Sequence, residues 1–204
     1  MKNVKRSLSF VLALVLVAVM CPVIPAEAAE TMSADVCPCC GKAFSSIKWT
    51  EYSKWTNSLG GFLGGGVDFT KAGHYRITDS FTLKKEFNIT ANVVLDFNGL
   101  KLQAKSGSRG FTVKSGGTLT LINTGGANGR LEGHNTSSEG VAIKVEEGGT
   151  LNILSGRVVG KSTSHNGGAI YNAGTVNMAG GKIDSGKSTS TAGGNVYNAG
   201  TFNM

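Results

Sequence analysis

Three cysteines in the run Cys37-Pro38-Cys39-Cys40-Gly41-Lys42 form the densest group of metal-binding or redox-active side chains in this sequence. A tight Cys-x-x-Cys-Gly turn presents thiolates to one ion, and four ligands close a structural zinc site. Cys21 lies in the N-terminal 28 residues; beyond them only these three cysteines remain, and His74 is the residue that could complete a Cys3His set. Two other uses stay open for the thiols in an exported chain. One is a disulfide, for which Cys37 with Cys40 is better placed than the strained neighbours Cys39 and Cys40; the other is no role at all. One thiol is left over whichever pair forms.

Trp49, Tyr52 and Trp55 are the candidates for a sugar-stacking platform. Set against that is a plainer role, because the end of a stacked fold needs an apolar lid with a polar outer face. Hydrolysis of glycosides would require paired carboxylates at controlled separation, and a lyase would require acids clustered for calcium beside a base. The acids from residue 73 onward are Asp79, Glu86, Asp96, Glu132, Glu139, Glu146, Glu147 and Asp184. Of these only Glu146 and Glu147 are adjacent, and neighbours on a strand point to opposite faces. His134 and His165 read as solvated loop residues, and no Gly-x-Ser-x-Gly nucleophile motif occurs. No catalytic residue is assigned, and the enzyme reading is disfavoured on these residues.

The elements that must position these side chains follow from the ends, the composition and the repeat. Lys2, Lys5 and Arg6 precede an apolar run from Leu8 to Met20, then Pro22, Pro25 and the small residues Ala26 and Ala28. That is the architecture of a secretory signal, and the run is shorter than the roughly 20 residues of a membrane span. A signal peptide over residues 1–28, cleaved near Ala28, places the mature protein outside the cell or at its surface. Met20 before Cys21 is too large for a lipidation site. Cleavage takes away three basic residues and Glu27, leaving 17 basic against 12 acidic residues. With Lys84-Lys85 the only basic doublet, no stripe with interleaved aromatics offers itself to nucleic acid. The modest positive surface suits anionic cell-wall polymer or glycan, and no later segment is apolar enough to span a membrane.

The chain holds 30 glycines, most of them after Leu59. Val, Ile, Leu and Phe at alternate positions between them exclude disorder and predict short strands joined by tight turns. Gly168-Ala169-Ile170-Tyr171-Asn172-Ala173-Gly174-Thr175-Val176-Asn177-Met178 returns 26 residues later as Gly194-Asn195-Val196-Tyr197-Asn198-Ala199-Gly200-Thr201-Phe202-Asn203-Met204. Looser copies run upstream through Ala142 to Ile153 and Phe111 to Leu121. Each copy reads as short strand, glycine turn, short strand, turn, short strand and polar loop. Such strands are too short to stand alone, but stacked copies pair in register and merge their inward residues into apolar columns.

Three inward columns follow: Val113, Val145, Ile170 and Val196; Leu119, Leu151, Val176 and Phe202; Leu121, Ile153, Met178 and Met204. Asn172 with Asn198, and Asn152 with Asn177 and Asn203, fall at two turn positions and read as amide ladders rather than as a glycan-binding row. The predicted fold is therefore all-β, a right-handed parallel β-helix of about five to six coils over residues 73–204. An irregular segment with the cysteines and tryptophans, ending in a flexible Gly60 to Gly66 link, occupies residues 29–72. The repeat breaks off at Met204 inside a coil, so the sequence reads as truncated at the C-terminus, with the remainder of a longer chain expected to stack on the open coil.

The stretch from Val93 to Leu102, followed by Phe111 to Asn123, resembles the opening coils of bacterial pectate-lyase-like β-helix proteins. The Gly167 to Ile183 stretch is similar to repeats of polymorphic outer-membrane and adhesin-like surface proteins. The resemblance implies architecture strongly and activity weakly, since one fold hosts many functions. The repeat, the export signal and the absence of a catalytic cluster lead to the expectation of a secreted or cell-surface, non-enzymatic protein of adhesin type that binds glycans or other surface partners. The alternative is the N-terminal part of a polysaccharide lyase or glycoside hydrolase whose catalytic residues lie in sequence beyond this chain.

Overall fold

The computed structural model describes residues 35–59, 68–189 and 192–204. The signal peptide, its cleavage site and the Gly60 to Gly66 link lie outside the described residues. Nearly all regular structure is β, arranged as a parallel β-solenoid of about five turns. One sheet contains β1 (Thr50–Tyr52), β2 (Gly73–Ile77), β5 (Asn92–Asp96), β8 (Thr118–Ile122), β11 (Thr150–Ile153), β15 (Thr175–Met178) and β19 (Thr201–Asn203), in that order. A second stacks β4 (Phe87–Ile89), β7 (Phe111–Val113), β10 (Ile143–Val145), β14 (Ile170–Asn172) and β18 (Val196–Asn198). The third stacks β3 (Phe81–Thr82), β6 (Lys101–Gln103), β9 (Arg130–Glu132), β12 (Arg157–Val159) and β16 (Lys182–Asp184), with β13 (Ser162–Thr163) and β17 (Lys187–Ser188) pairing beside it. The parallel pairing starts at Thr50, which lies opposite Tyr75. A short helix α1, Lys54–Leu59, and a 3-10 turn over Phe44–Ser46 precede the first full coil.

Glycine makes the corners. Between β10 and β11 the chain turns at Gly148, whose φ of +75° is a conformation that side chains resist. The next residue must be glycine for a different reason: a Cβ on Gly149 would meet the carbonyl oxygen of Val113, in the coil below, at 2.7 Å. Close stacking of coils at this corner thus depends on the missing side chain.

The interior is a set of in-register columns. Val93, Leu119, Leu151, Val176 and Phe202 form one. Leu95, Leu121, Ile153 and Met178 form the next, on the same strands. Met204 follows the last strand and is 89% exposed, so it does not extend that column. The second sheet departs from the column expected of it. Ile170 stands opposite Ile143, and it is Asn172 that stands opposite Val145. The true columns are Phe87, Phe111, Ile143, Ile170 and Val196, and beside it Ile89, Val113, Val145, Asn172 and Asn198. The cause is a turn two residues shorter in the last coils, where Ala173-Gly174 replaces the four residues from Glu146 to Gly149. Counting back from the Gly-Thr pair therefore misaligns the strands by two, which keeps every side chain on its correct face but in the wrong column.

At the N-terminal end an aromatic plug closes this interior. Phe69 is fully buried, with its ring edge-on to Tyr52 at 5.2 Å, Tyr75 at 5.5 Å, Phe87 at 5.2 Å and Phe111 at 5.5 Å between centroids. Tyr52 stacks on Tyr75 at 5.3 Å. Burial raises both phenols, and Tyr75 reaches about 12, so both stay protonated and uncharged within the plug.

Candidate metal centre

The cysteine segment folds back along the flank of the solenoid. Val36 and Ala43 form an antiparallel bridge, and the Cys37 amide donates to the Lys42 carbonyl at 2.9 Å. The Gly41 amide then closes the loop on the Cys37 carbonyl at 2.9 Å, made possible by a φ of +67° at Gly41. This hairpin carries Cys37 and Phe44 onto an apolar strip of the first sheet's outer face, where both are buried against Val94, Ile122 and Leu154. An outward apolar strip on a sheet needs a cover, and here the cover is the segment that bears the thiols.

His74 comes from the other side. It lies on β2 between the inward residues of that strand, opposite Val94, and so faces outward into the same cover. Its Nε2 is 3.3 Å from the Cys37 sulfur, 3.4 Å from Cys39 and 3.6 Å from Cys40. The Cys37 and Cys39 sulfurs are 3.1 Å apart, and all four ligand atoms lie within 4.8 Å of one another. No disulfide joins the three thiols. The hydrogen bond to Cys39 and burial together push the Cys37 thiol up to about 12, against the opposing pull of His74. A cation at the centre of the four reverses that balance, because it stabilises thiolates and displaces their protons. The group could hold a metal ion. All four ligands would be protein side chains, which is the closed arrangement of a structural site rather than the open one of a catalytic site.

The neighbouring polar groups fix this wall. Trp49 sets its ring edge against His74 with centroids 5.9 Å apart, and the Arg76 guanidinium lies 4.6 Å over the Trp49 ring. Arg76 donates through Nε to Asp96 at 2.8 Å. Asp96 is fully buried, yet it also accepts from the Asn98 amide, the Thr124 amide and the Thr124 hydroxyl. A buried carboxylate with four donors is a satisfied structural anchor. A cleft of about 630 Å³ opens alongside, lined by Phe44, Ser45, Arg76, Thr124 and Ser155.

The remaining aromatic candidates separate. Tyr52 is buried in the plug and Trp49 lies on the flank, so the two are not coplanar partners for one sugar; Trp55 is 71% exposed on α1. Outward on the second sheet, Tyr171 and Tyr197 stack on one another at 5.2 Å, with Lys144 5.3 Å from the Tyr171 ring. The asparagines form true ladders but stand in strands. The Asn203 amide donates to Asn177 at 2.8 Å, Asn177 to Asn152 at 2.9 Å, and Asn152 to the Thr120 hydroxyl at 3.2 Å. Asn172 donates to Asn198 at 2.7 Å and to the Thr201 carbonyl at 2.8 Å, and it accepts from the Gly174 amide. Among the described residues no helix is long and apolar enough to cross a membrane. No family model matches the chain, and no significant match appears among curated proteins or solved structures. What the chain shows of its kind is the parallel β-solenoid and the Cys3His group on its flank.

Proposed function

We propose that this is a secreted or cell-surface, non-enzymatic β-solenoid of adhesin type that binds glycans or cell-wall polymers through its outer faces. We further propose that a structural zinc ion on Cys37, Cys39, Cys40 and His74 fastens its N-terminal segment. One observation carries the non-enzymatic reading, namely the partners that the acids have. Glu86 faces Arg109, Asp96 faces Arg76, Glu139 faces Lys144 and Glu146 faces Lys114. Glu132 faces Arg130 and Lys161, and Asp184 faces Arg157 and Lys182. Acid–base catalysis on a sugar and calcium binding both call for carboxylates that face one another. Six of the eight acids from residue 73 onward thus face cations rather than one another.

Zinc would supply charge neutralisation for the thiolates and a crosslink between the hairpin and β2, which are far apart in sequence. Both parts of the proposal have direct tests. A glycan array probed with the full chain should show binding, and polysaccharides incubated with it should remain uncut; turnover without binding would reverse the assignment. Metal analysis of the same protein should find one zinc per chain, lost in Cys39→Ser and His74→Ala. Metal-free wild type whose hairpin resists proteolysis as well as the loaded form would remove the fastening role.

A further inference from the structure

The outward face of the third sheet holds a column that no stretch of sequence displays. Lys101 stands opposite Arg130, Arg130 opposite Arg157, and Arg157 opposite Lys182. Their strand neighbours Leu102, Leu131 and Val158 are fully buried and Ile183 packs partly buried against the same core, so the four basic side chains point outward from successive coils. Successive rungs lie about 4.8 Å apart, which makes a straight line of positive charge along the solenoid axis. Beside it run Gln103, Glu132, Val159 and Asp184, and Lys161 reaches Glu132 at 3.0 Å. Five cations thus face two carboxylates. The carboxylates do not consume the column: the side chains of Arg130, Arg157 and Lys182 remain 27%, 38% and 65% exposed.

We propose that this column is a docking track for a linear anionic glycan, one bearing carboxylate or sulfate on its successive sugars and lying parallel to the solenoid axis. The inference rests on the surface-binding function proposed above and names the face and the ligand chemistry. Three features select that ligand. The charges are collinear and regularly spaced, which suits an extended polymer rather than a compact anion. Two of the four are arginines, whose planar forks pair with carboxylate and sulfate oxygens through two hydrogen bonds. No aromatic side chain stands in either outward row, whereas single-stranded nucleic acid is held by bases stacked on aromatics.

The test uses the full chain with dextran sulfate oligosaccharides, and dextran of equal length as the uncharged control. Dextran sulfate should bind, dextran should not, and added salt should weaken the complex. The double variant Arg130→Gln/Arg157→Gln should lose about tenfold or more in affinity, while Lys48→Gln/Lys71→Gln, which removes the same charge elsewhere, should lose less than about twofold. The pair Arg130→Lys/Arg157→Lys keeps the charge but not the planar forks and should lose about threefold, between the other two variants, with circular dichroism confirming the fold of all three. Equal losses from the column pair and the distant pair would reduce the effect to net charge and overturn the track. So would single-stranded DNA that binds more tightly than dextran sulfate with the same dependence on Arg130 and Arg157. If an array still reports glycan binding that is indifferent to the column, the track falls and the surface-binding function stands; if nothing binds, both fall.

Discussion

The middle coils and the last coils solve the same packing problem with different chemistry. Along the second sheet Ile89, Val113 and Val145 point into a dry interior, and the next two positions of that column are Asn172 and Asn198. The middle coils are held by buried apolar area, at roughly 25 cal/mol per Å², whereas the last coils add amides: Asn172 donates to Asn198 in this column, and on the outward row of the first sheet Asn203 donates to Asn177 and Asn177 to Asn152. The sequence repeat is cleanest where the amides are. Apolar residues of similar size substitute for one another with little loss, so an apolar column blurs the repeat. An amide ladder demands the same residue at every rung and preserves it.

The largest effect should come from breaking the apolar mode. Ile153 is fully buried between Leu121 and Met178. Ile153→Asp places a charge there with no partner, at a cost of several kcal/mol. Far-UV circular dichroism and urea titration should show a chain that is largely unfolded or that melts far below wild type. A two-state unfolding curve close to wild type would mean that this column does not hold the coils together.

The amide mode should yield a smaller and more local loss. Asn177 is buried between Asn152 and Asn203, and Asn177→Leu leaves the buried Asn152 oxygen without its donor. The expected cost is about 1–3 kcal/mol, with protection of the amides in β15 and β19 from hydrogen exchange reduced more than in β5 or β8. A neutral or stabilising Asn177→Leu would show that the ladder serves register alone and that burial would have served as well.

The contrast also explains what the sequence discloses. Strands, corners and, Met204 apart, the two columns of the first sheet are legible because alternation and glycine spacing are local signals. The second sheet's columns are not legible at Ile170 because a shortened turn shifts the count without changing the pattern on either side of it. The three thiols and His74 could be grouped by residue type, but their meeting depends on a hairpin that folds over Val94, Ile122 and Leu154, and no local pattern announces that cover. The basic column was invisible for a related reason. Lys101, Arg130, Arg157 and Lys182 lie a whole coil apart in the chain and become neighbours only through strand register. A doublet such as Lys84-Lys85, conspicuous in the sequence, has no such alignment behind it.

The smallest effect concerns the surface of the same coils, where Lys161–Glu132 and Arg157–Asp184 join one rung to the next while Arg130–Glu132 and Lys182–Asp184 pair within a strand. Burial alone would raise the Glu132 carboxyl, but hydrogen bonds from Lys161 and Arg130 outweigh it and hold the group below its ordinary 4.5. Asp184 behaves alike: burial opposes, hydrogen bonds from Arg157 and Lys182 prevail, and its carboxyl sits below 3.8. A carboxyl whose value is lower folded than unfolded binds protons more readily in the unfolded chain, so stability rises with pH through that interval. The contribution is therefore complete above about pH 4.5 and is lost as pH falls through the lowered folded values. Urea midpoints measured from pH 6 down to pH 3 should fall more steeply for wild type than for Glu132→Gln/Asp184→Asn, and the two curves should converge at the acid end. Protonation also strips the two negative charges beside the basic column, so affinity for an anionic polymer should rise over the interval in which stability declines. Parallel curves for the two proteins would assign the acid sensitivity to other carboxylates and leave these cross-coil pairs without a measurable share in holding the rungs together.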